Sequence, residues 1–324
     1  MVLAPMEDVT DTVFREVILS VSDKDMLHAV FTEFTSTDGL CDLRGRAKVI
    51  ERLAVNESEL QLLKAKKTKL VAQIWGSEPD KFYESARIIS QLGYFDGIDI
   101  NMGCPVKKII KGKCCSALIN YPSLAKDIIL ATKDGSSLPV SVKTRIGFHT
   151  IKTEEWIGHL LETNPAAITV HGRTQKMMST GQALWTEIAK AADLRNKTDV
   201  NTVMIGNGDV TSCPEASEKT ESYGVDGVMV GTGIFKNPWM FRKDHQEITT
   251  DERFDLLQKH IELFRDTWNK RKNYNILKRF YKIYLNGFHG ASDCRGKMMQ
   301  AQGYDEALST LKMIKKEISG YANN

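Results

Sequence analysis

The chain has 324 residues, enough for one large domain or for a large domain and a small one. Apolar residues make up 42% of it, yet no apolar run approaches the ~20 residues that a membrane span needs. The N-terminus lacks the basic and apolar regions of a secretory signal, and the six cysteines show no paired CxxC spacing. These features argue against a disulfide scaffold, and we expect a cytoplasmic protein without membrane contact or bound metal.

Eight short runs rich in Val, Ile and Thr recur along most of the chain. They begin at Val2, Ala29, Lys69, Gly97, Pro139, Ala166, Thr202 and Gly227. Helix-like segments such as 80–93 and 123–135 lie between them, and this alternation predicts parallel βα units. Eight units over roughly 240 residues match a (βα)8 TIM barrel. A doubly wound open sheet is the alternative, but it would not require eight repeats, and no G-x-G-x-x-G follows the first run.

Polar residues and glycines crowd the ends of these runs, where a βα barrel places its functional groups. The stretches concerned are 4–6, Gln73, 101–104, 143–145, 171–174, 206–209 and 231–233. The last two contain glycines after the seventh and eighth runs, where barrels often bind phosphate through backbone N–H groups. A tight turn is the alternative for either glycine pair alone.

Three side chains at these ends suit a planar cofactor. Lys143 and His171 can place positive charge beside an anionic ring such as a reduced flavin, and Gln73 can offer a donor and an acceptor to the ring edge. The alternatives are a salt bridge at the rim for Lys143 and a satisfied hydrogen bond in the barrel mouth for His171.

The pattern changes after Trp239. Residues 249–252, Thr-Thr-Asp-Glu, fit a capping box, and apolar residues then recur at helical spacing. They are Phe254, Leu257, Ile261, Phe264 and Trp268. No convincing strand follows, so we predict a barrel domain over residues 1–243 and an all-helical domain over residues 244–324, packed together.

The net charge of +3 is unevenly distributed. Between Lys270 and Lys297 lie eight basic residues and one acidic residue, Asp293, so the rest of the chain is mildly acidic. Such asymmetry indicates an anionic polymer as partner. A solvated helix face is the alternative interpretation of the same charges.

Several of these stretches together resemble the tRNA-dihydrouridine synthases. The similarity runs from Val2 to Trp239 and continues more weakly to about Leu311. It rests on the motifs APMEDVTDTVFR, DINMGCPVKKIIKGKCCSALI, VKTRIGF, ITVHGRT, IGNGDV and GVMVGTGIFKNPW, and less sharply on KRFYKIYLNGFHGASDCR.

The resemblance implies an oxidoreductase that uses FMN and NADPH to reduce uridine in tRNA. Cys104 matches the catalytic cysteine and Asn101 a neighbouring uracil contact, while Arg145 and Arg173 are expected on the substrate side. The FMN contacts carried over by motif are Pro5, Met6, Gln73, Lys143, His171, Asn207, Gly208, Asp209, Gly231 and Thr232. For tRNA binding we single out Lys278 and Arg279 of the basic segment, and we expect a monomer.

In that reaction carbon 5 of uracil must receive a proton, best delivered from the face opposite the hydride. Cys104 suits a general acid, because a thiol with an ordinary pKa of ~8.5 is mostly protonated at neutral pH. A strongly depressed pKa of Cys104 would work against this role.

Two positions depart from the family pattern. Thr232 follows Gly231 where many members have arginine, so we expect FMN to be held more by the backbone and Lys143. Residues 112–115 read Gly-Lys-Cys-Cys where members often have G-x-G, which predicts a stiffer loop after Cys104. We expect Cys114 and Cys115 to be small buried fillers, with a role as second acid as the alternative.

Two other functions stay open at this point. The first is an FMN barrel enzyme that acts on a free pyrimidine, such as a dihydroorotate dehydrogenase, although such enzymes need no basic helical appendage. The second is an RNA-binding protein that has lost the chemistry, against which the intact Cys104, Lys143 and His171 argue.

Overall fold

A computed structural model describes residues 1–244 and 247–321, with side chains described as far as residue 318. The strands in this part of the chain are β1 (Val2–Leu3), β2 (Ala29–Phe31), β3 (Thr35–Ser36), β4 (Lys69–Trp75), β5 (Gly97–Met102), β6 (Val140–Arg145), β7 (Ala167–His171), β8 (Val203–Asn207) and β9 (Gly227–Val230).

These strands form one parallel sheet that closes on itself. β1 pairs with β2 and with β9, and β2 pairs with β4, which completes a barrel of eight positions. β2 and β3 share the second position. Between them the Thr32 hydroxyl accepts the N–H of Gln73 at 3.0 Å, a bond that a continuous strand would give to a backbone carbonyl. The predicted (βα)8 TIM barrel is confirmed, with the run from Ala29 divided in two.

Helices alternate with the strands as far as β9 and continue without strands after it. They are α1 (Thr12–Val21), α2 (Thr37–Cys41), α3 (Arg46–Val49), α4 (Glu57–Lys66), α5 (Pro79–Leu92), α6 (Lys107–Ile110), α7 (Pro122–Asp134), α8 (Thr153–Leu161), α9 (Trp185–Asn196), α10 (Cys213–Tyr223), α11 (Thr250–Trp268), α12 (Asn275–Lys278), α13 (Tyr281–Tyr284), α14 (Ala291–Gln300) and α15 (Tyr304–Tyr321). Short 3₁₀ helices cover Ile50–Leu53, Cys115–Asn120 and Thr232–Phe235. α5 and α7 confirm the two helices predicted between the strands.

The ends of the helices follow signals in the sequence. The Asp11 carboxylate caps α1 by accepting the Phe14 N–H at 3.0 Å. At α11, the side chains of Thr249 and Glu252 each accept the backbone N–H of the other, which confirms the predicted capping box. α5 ends before Gly93, whose φ of 75° is a left-handed value that glycine adopts without steric cost.

The C-terminal helices pack directly on the barrel. The rings of Phe14 in α1 and Phe280, between α12 and α13, lie 5.4 Å apart between centroids, and one apolar cluster extends from Leu3 in β1 to Ile314 in α15. Residues 247–321 contain helices and no strand, as predicted, while the boundary between 243 and 244 stays a prediction. None of the helices in the described chain combines the length and the apolar character of a membrane span.

A buried ion pair joins α1 to α4. Arg15 Nε donates to Glu59 Oε1 at 2.6 Å and Nη2 donates to Oε2 at 2.9 Å, and neither side chain has exposed surface. The Thr12 hydroxyl donates to Glu59 Oε2 at 2.6 Å, and the carbonyls of Thr10 and Ala54 accept from the guanidinium at 2.7 and 3.0 Å. Both charges are therefore paired and hydrogen bonded, which is the condition for burying them.

We expect Glu59→Gln to lower the free energy of unfolding by roughly 3 kcal/mol, because it leaves the Arg15 charge buried without a counter-ion. Urea denaturation followed by circular dichroism measures this loss. Glu84→Gln is the matched control, since Glu84 pairs with Arg87 on the surface of α5, where both side chains are 49% exposed. The control should change the free energy by less than about 0.5 kcal/mol. Equal losses in the two variants would show that burial does not matter here.

Candidate active site

Three neighbouring strands bring polar side chains together inside the barrel. In the parallel register, Gln73 of β4 lies beside Asp99 of β5, and Asp99 lies beside Ser141 of β6. Gln73 Nε2 donates to Asp99 Oδ2 and the Ser141 hydroxyl donates to Asp99 Oδ1, both at 2.6 Å. Burial raises the pKa of Asp99 to about 6, against the opposing effect of these two hydrogen bonds. The carboxylate is therefore mostly ionised at neutral pH.

The hydrogen-bond chain continues into the loop after β5. Asn101 Nδ2 donates to Gln73 Oε1 at 3.0 Å, and Asn101 Oδ1 accepts the N–H groups of Gly103 and Cys104 at 3.0 and 2.9 Å. The Ser116 hydroxyl donates to the Cys104 carbonyl at 2.8 Å. The backbone of the predicted catalytic cysteine is thus held on both its N–H and its carbonyl side.

The Cys104 thiol lies among groups that favour its thiolate. The pKa of Cys104 is lowered to about 6, chiefly by the Cys115 side chain and then by the backbone of Val106, against the effect of burial. The positive charges of Arg145 and Lys143 lower it further. Cys114 and Cys115 are both buried, as predicted for small fillers. Cys115 differs from a plain filler because its side chain lowers the pKa of Cys104.

Lys143 lies near the end of β6, close to the loop that carries Cys104. It lies beside Asn101 in the register, and its Nζ donates to Asn207 Oδ1 at 3.1 Å. Asn207 Nδ2 in turn donates to the Met229 carbonyl at 2.8 Å. Burial, followed by repulsion from Arg145, lowers the pKa of Lys143 to about 8. The ammonium is therefore still mostly charged at neutral pH, and its hydrogen-bond partner is an amide, not a carboxylate.

His171 at the end of β7 faces the Arg173 guanidinium. Arg173 Nη1 lies 3.1 Å from His171 Nε2, and because a guanidinium can only donate, this ring nitrogen accepts and Nδ1 carries the proton. Burial, together with the charges of Lys143, Arg145 and Arg173, holds the pKa of His171 well below its ordinary value. His171 is therefore a neutral donor and not the cation that the sequence analysis considers, and the alternative of an internal hydrogen bond is the one observed.

The two arginines expected on the substrate side are engaged with loops at the barrel mouth. Arg173 Nη2 donates to both Asp209 oxygens at 2.7 and 2.8 Å, and Asp209 Oδ2 also accepts the Ala183 N–H at 2.7 Å. Arg145 Nε donates to the Gly103 carbonyl at 2.6 Å, and its Nη1 donates to two carbonyls of the loop after β7. Both arginines tie loops together, and their contacts with substrate stay predictions.

The ends of β8 and β9 form a cradle of backbone N–H groups. In the described chain, no backbone acceptor takes the N–H of Gly208, Asp209 or Thr232. A Cβ added at Gly208 would lie 2.5 Å from the Cβ of Ala183, and φ there is 132°, so the position requires glycine. A Cβ added at Gly231 would meet nothing nearer than 3.9 Å, which leaves space above that strand end. N–H groups of this kind fit an anionic phosphate.

The predicted FMN contacts all lie at or near the ends of barrel strands. Pro5 and Met6 follow β1, which pairs with β9 and so lies next to Gly231. The Met6 N–H donates to the Thr10 hydroxyl at 2.9 Å, which turns the chain away from the strand. The structure brings these residues to one rim, while their contact with FMN stays a prediction.

Asp99 and Ser141 are the residues that the sequence analysis misses. Asp99 is an acidic residue two positions before Asn101 in an otherwise apolar run, so the alternation of side chains along a strand could have indicated that both face the barrel interior. Ser141 carries no such signal, because only the register brings it to the site. Cys115 is considered there as a filler or a second acid, and its effect on the pKa of Cys104 emerges only from the fold.

The basic segment 270–297 is partly neutralised by carboxylates elsewhere in the chain. Lys272 Nζ donates to Asp11 Oδ2 at 2.8 Å, and Lys297 Nζ donates to Glu317 Oε2 at 2.5 Å. The segment therefore presents less free charge than its composition predicts. The bond to Asp11, which lies in the loop after β1, places Lys272 on the same side as the barrel mouth.

Lys278 and Arg279, which are predicted to contact tRNA, make different contacts from one another. Lys278 Nζ donates to the Met299 carbonyl at 2.9 Å. Arg279 is exposed, with its guanidinium 5.0 Å from the centre of the Phe280 ring. Neither residue is paired with a carboxylate in these contacts, so both charges remain available to an anionic partner.

Comparison with known proteins gives consistent results along the chain. The family model described as dihydrouridine synthase matches residues 2–319. The chain is 41% identical over 312 residues to a probable tRNA-dihydrouridine synthase of Staphylococcus aureus strain COL, covering 96% of this chain and 91% of that protein. It is 40% identical over 313 residues to the probable tRNA-dihydrouridine synthase 2 of Bacillus subtilis strain 168, covering 96% and 92%. A solved 2-naphthoyl-CoA reductase complex matches with a TM-score of 0.54 at 10% identity, over 74% of this chain and 49% of that one, and shares the fold alone.

We expect the alkylation of Cys104 by iodoacetamide in the FMN-free protein to accelerate with pH through a midpoint of about 6, because the thiolate is the reactive form. Mass spectrometry of the peptide that contains Cys104 measures the rate. Cys115→Ala removes the largest cause of the lowered pKa and should move the midpoint upward. Cys114→Ala is the matched control, since that thiol donates to the Gly112 carbonyl. If both variants keep the wild-type midpoint, Cys115 does not set the pKa.

Proposed function

Because the chain belongs to the dihydrouridine synthase family, we propose that it reduces uridine in tRNA to 5,6-dihydrouridine, with FMN as cofactor and NADPH as reductant. The observation that carries this proposal is the placement of Cys104. Its backbone is held by Asn101 at the end of β5, and its thiol is within electrostatic reach of Lys143. A proton donor beside a cation at the mouth of a barrel suits the reduction of a ring double bond.

The residues at the strand ends fit FMN. The free N–H groups of Gly208, Asp209 and Thr232 would hold its phosphate, and Lys143 and the neutral His171 would face its ring. When bound and reduced, FMN supplies a hydride to carbon 6 of the uracil. Thr232 provides no charged contact to the phosphate, so the backbone N–H groups carry more of the binding.

Cys104 delivers the proton that carbon 5 of the uracil requires. This role needs the thiol, whereas the lowered pKa of Cys104 favours the thiolate when no ligand is present. The main cause of that lowered pKa is the Cys115 side chain, and the charge of Lys143 is the smallest of the causes that lower it. An anionic group bound beside Lys143 offsets this charge, which raises the pKa of Cys104 and increases the fraction of thiol.

The tRNA approaches the mouth along the C-terminal helices. A uracil in folded RNA must leave its stack, which costs about a few kcal/mol, and contacts with phosphates offset this cost. Lys278 and Arg279 are the proposed phosphate contacts. The bond between Lys272 and Asp11 supports this placement, because it joins the basic segment to the loop after β1.

We expect Cys104→Ala to lower the single-turnover rate of uridine reduction by about 100-fold or more, because it removes the general acid. Nucleoside mass spectrometry of unmodified tRNA, treated with the protein, FMN and NADPH, measures the dihydrouridine formed. Cys41→Ala is the matched control, since the Cys41 thiol contacts the Lys81 carbonyl of α5 and should not affect the rate.

Two outcomes would contradict these proposals. A wild-type rate in Cys104→Ala would exclude Cys104 as the proton donor. A wild-type protein that reduces free uracil or orotate, and forms no dihydrouridine in tRNA, would replace the tRNA substrate with a free pyrimidine.

We expect the double variant Lys278→Glu, Arg279→Glu to bind tRNA about tenfold more weakly at low salt, because it replaces phosphate contacts with repulsion. The FMN content, measured by absorbance, should not change. The matched control is Lys24→Glu, Lys197→Glu, which alters exposed residues in the loops before β2 and β8, at the opposite end of the barrel. Equal tRNA affinity of the two double variants would exclude this surface.

A further inference from the structure

We propose that Asp99 is a positioning residue whose buried carboxylate sets the direction of the hydrogen-bond chain that runs through Gln73 and Asn101 to the backbone of Cys104. Its importance for uridine reduction rests on the proposed function. The hydrogen-bond chain is observed in three consecutive steps, from Asp99 Oδ2 to Gln73, from Gln73 to Asn101, and from Asn101 Oδ1 to the N–H groups of both Gly103 and Cys104.

The direction of the chain follows from the chemistry of its first member. An ionised carboxylate only accepts hydrogen bonds, whereas an amide accepts at one end and donates at the other. Asp99 therefore requires Gln73 to point Nε2 towards it, and this turns Gln73 Oε1 towards Asn101. Asn101 must then give Nδ2 to Gln73, which leaves its Oδ1 for the N–H of Cys104. If Asn101 were reversed, its NH2 would face the N–H donors of the Cys104 loop. If Gln73 were reversed, its oxygen would face the Asp99 carboxylate and its NH2 would face that of Asn101.

Burial enforces this orientation of the two amides. Asp99 and Gln73 have no exposed surface and Asn101 is 7% exposed, so solvent cannot replace a missing partner. A buried polar group left without a partner is destabilising, because it loses its hydrogen bonds to water and gains none in return. Loss of the acceptor at Asp99 would therefore weaken the last hydrogen bonds of the hydrogen-bond chain, which hold the loop that carries Cys104 where it leaves β5.

The presence of Ser141 makes it possible to test the acceptor role of the Asp99 side chain separately from its negative charge. Its hydroxyl donates to Asp99 Oδ1 in the native chain, but a hydroxyl can equally accept. With Asp99→Asn, the new amide can give its nitrogen to Ser141 and its oxygen to Gln73, so the direction of the chain is kept. Asp99→Leu has a similar size and offers no acceptor, so Gln73 loses its orientation.

Hydrogen–deuterium exchange tests the proposal without relying on activity. The readout is the exchange of the Gly103 and Cys104 amides, followed in the peptide that contains them. We expect exchange about tenfold faster in Asp99→Leu, since each link contributes on the order of 1 kcal/mol, and within about twofold of wild type in Asp99→Asn. Thr132→Val is the control for loss of a buried hydroxyl, because Thr132 bonds only within α7; its exchange at this peptide should equal that of wild type.

The rate of uridine reduction provides the second readout. We expect Asp99→Leu to be about tenfold slower in single turnover and Asp99→Asn to recover most of the rate, because the loop that aims the thiol is again held. Unchanged exchange at Gly103 and Cys104 in Asp99→Leu would overturn the proposal, whatever the rate. The expected exchange pattern in a protein that forms no dihydrouridine would support the positioning role and refute the proposed function.

A second set of variants covers the case in which Asp99→Leu does not fold. Ser141→Ala removes the hydroxyl that orients an amide at position 99, but it leaves the native carboxylate able to accept from Gln73. We therefore expect little change in exchange for Ser141→Ala and for Asp99→Asn alone, and an increase of several-fold when the two are combined. If the change in amide exchange in the double variant equals the sum of the changes in the two single variants, the proposal is overturned.

Discussion

The parallel pairing of β4, β5 and β6 is the constraint on which the site depends. It sets Gln73 beside Asp99 and Asn101 beside Lys143, so that side chains from three strands meet inside the barrel. A shift of one residue would send each of them to the outer face. The alternating apolar residues, such as Ile100, are fully buried in the core, so the same register that fills the core also assembles the polar site.

The barrel mouth concentrates positive charge, and this determines the protonation of its neighbours. Arg173 is matched by the carboxylate of Asp209. Burial and the charge of Arg145 lower the pKa of Lys143, and burial and the charge of Arg173 lower the pKa of Arg145. Burial, reinforced by the same charges, holds the pKa of His171 well below its ordinary value. Such a mouth attracts anions, and both a flavin phosphate and a nucleic acid are anionic. The electrostatics thus agree with the family to which the chain belongs.

Sequence reasoning predicts the architecture and much of the site because both depend on local patterns. The alternation of strand and helix is visible in the chain, and recognisable motifs place Cys104 just after one strand and Lys143 near the end of the next. The role of Asp99 is not visible, because it requires the register between strands that are distant in sequence. The neutral state of His171 depends on its burial and on the charges of three cations, and the pairing of Lys272 with Asp11 joins residues 261 positions apart. Long-range geometry therefore accounts for what the sequence did not reveal.

The clasp formed by Arg173, Asp209 and Ala183 has a consequence for the thermodynamics of cofactor binding. It fixes the loop after β7 against the end of β8. Fixing the backbone of one residue costs about 1–2 kcal/mol in conformational entropy, and a loop that ordered only on binding would subtract this cost from the affinity. Here the loss of entropy occurs during folding. If a phosphate binds at this rim as proposed, the binding free energy would carry no further cost for ordering this loop.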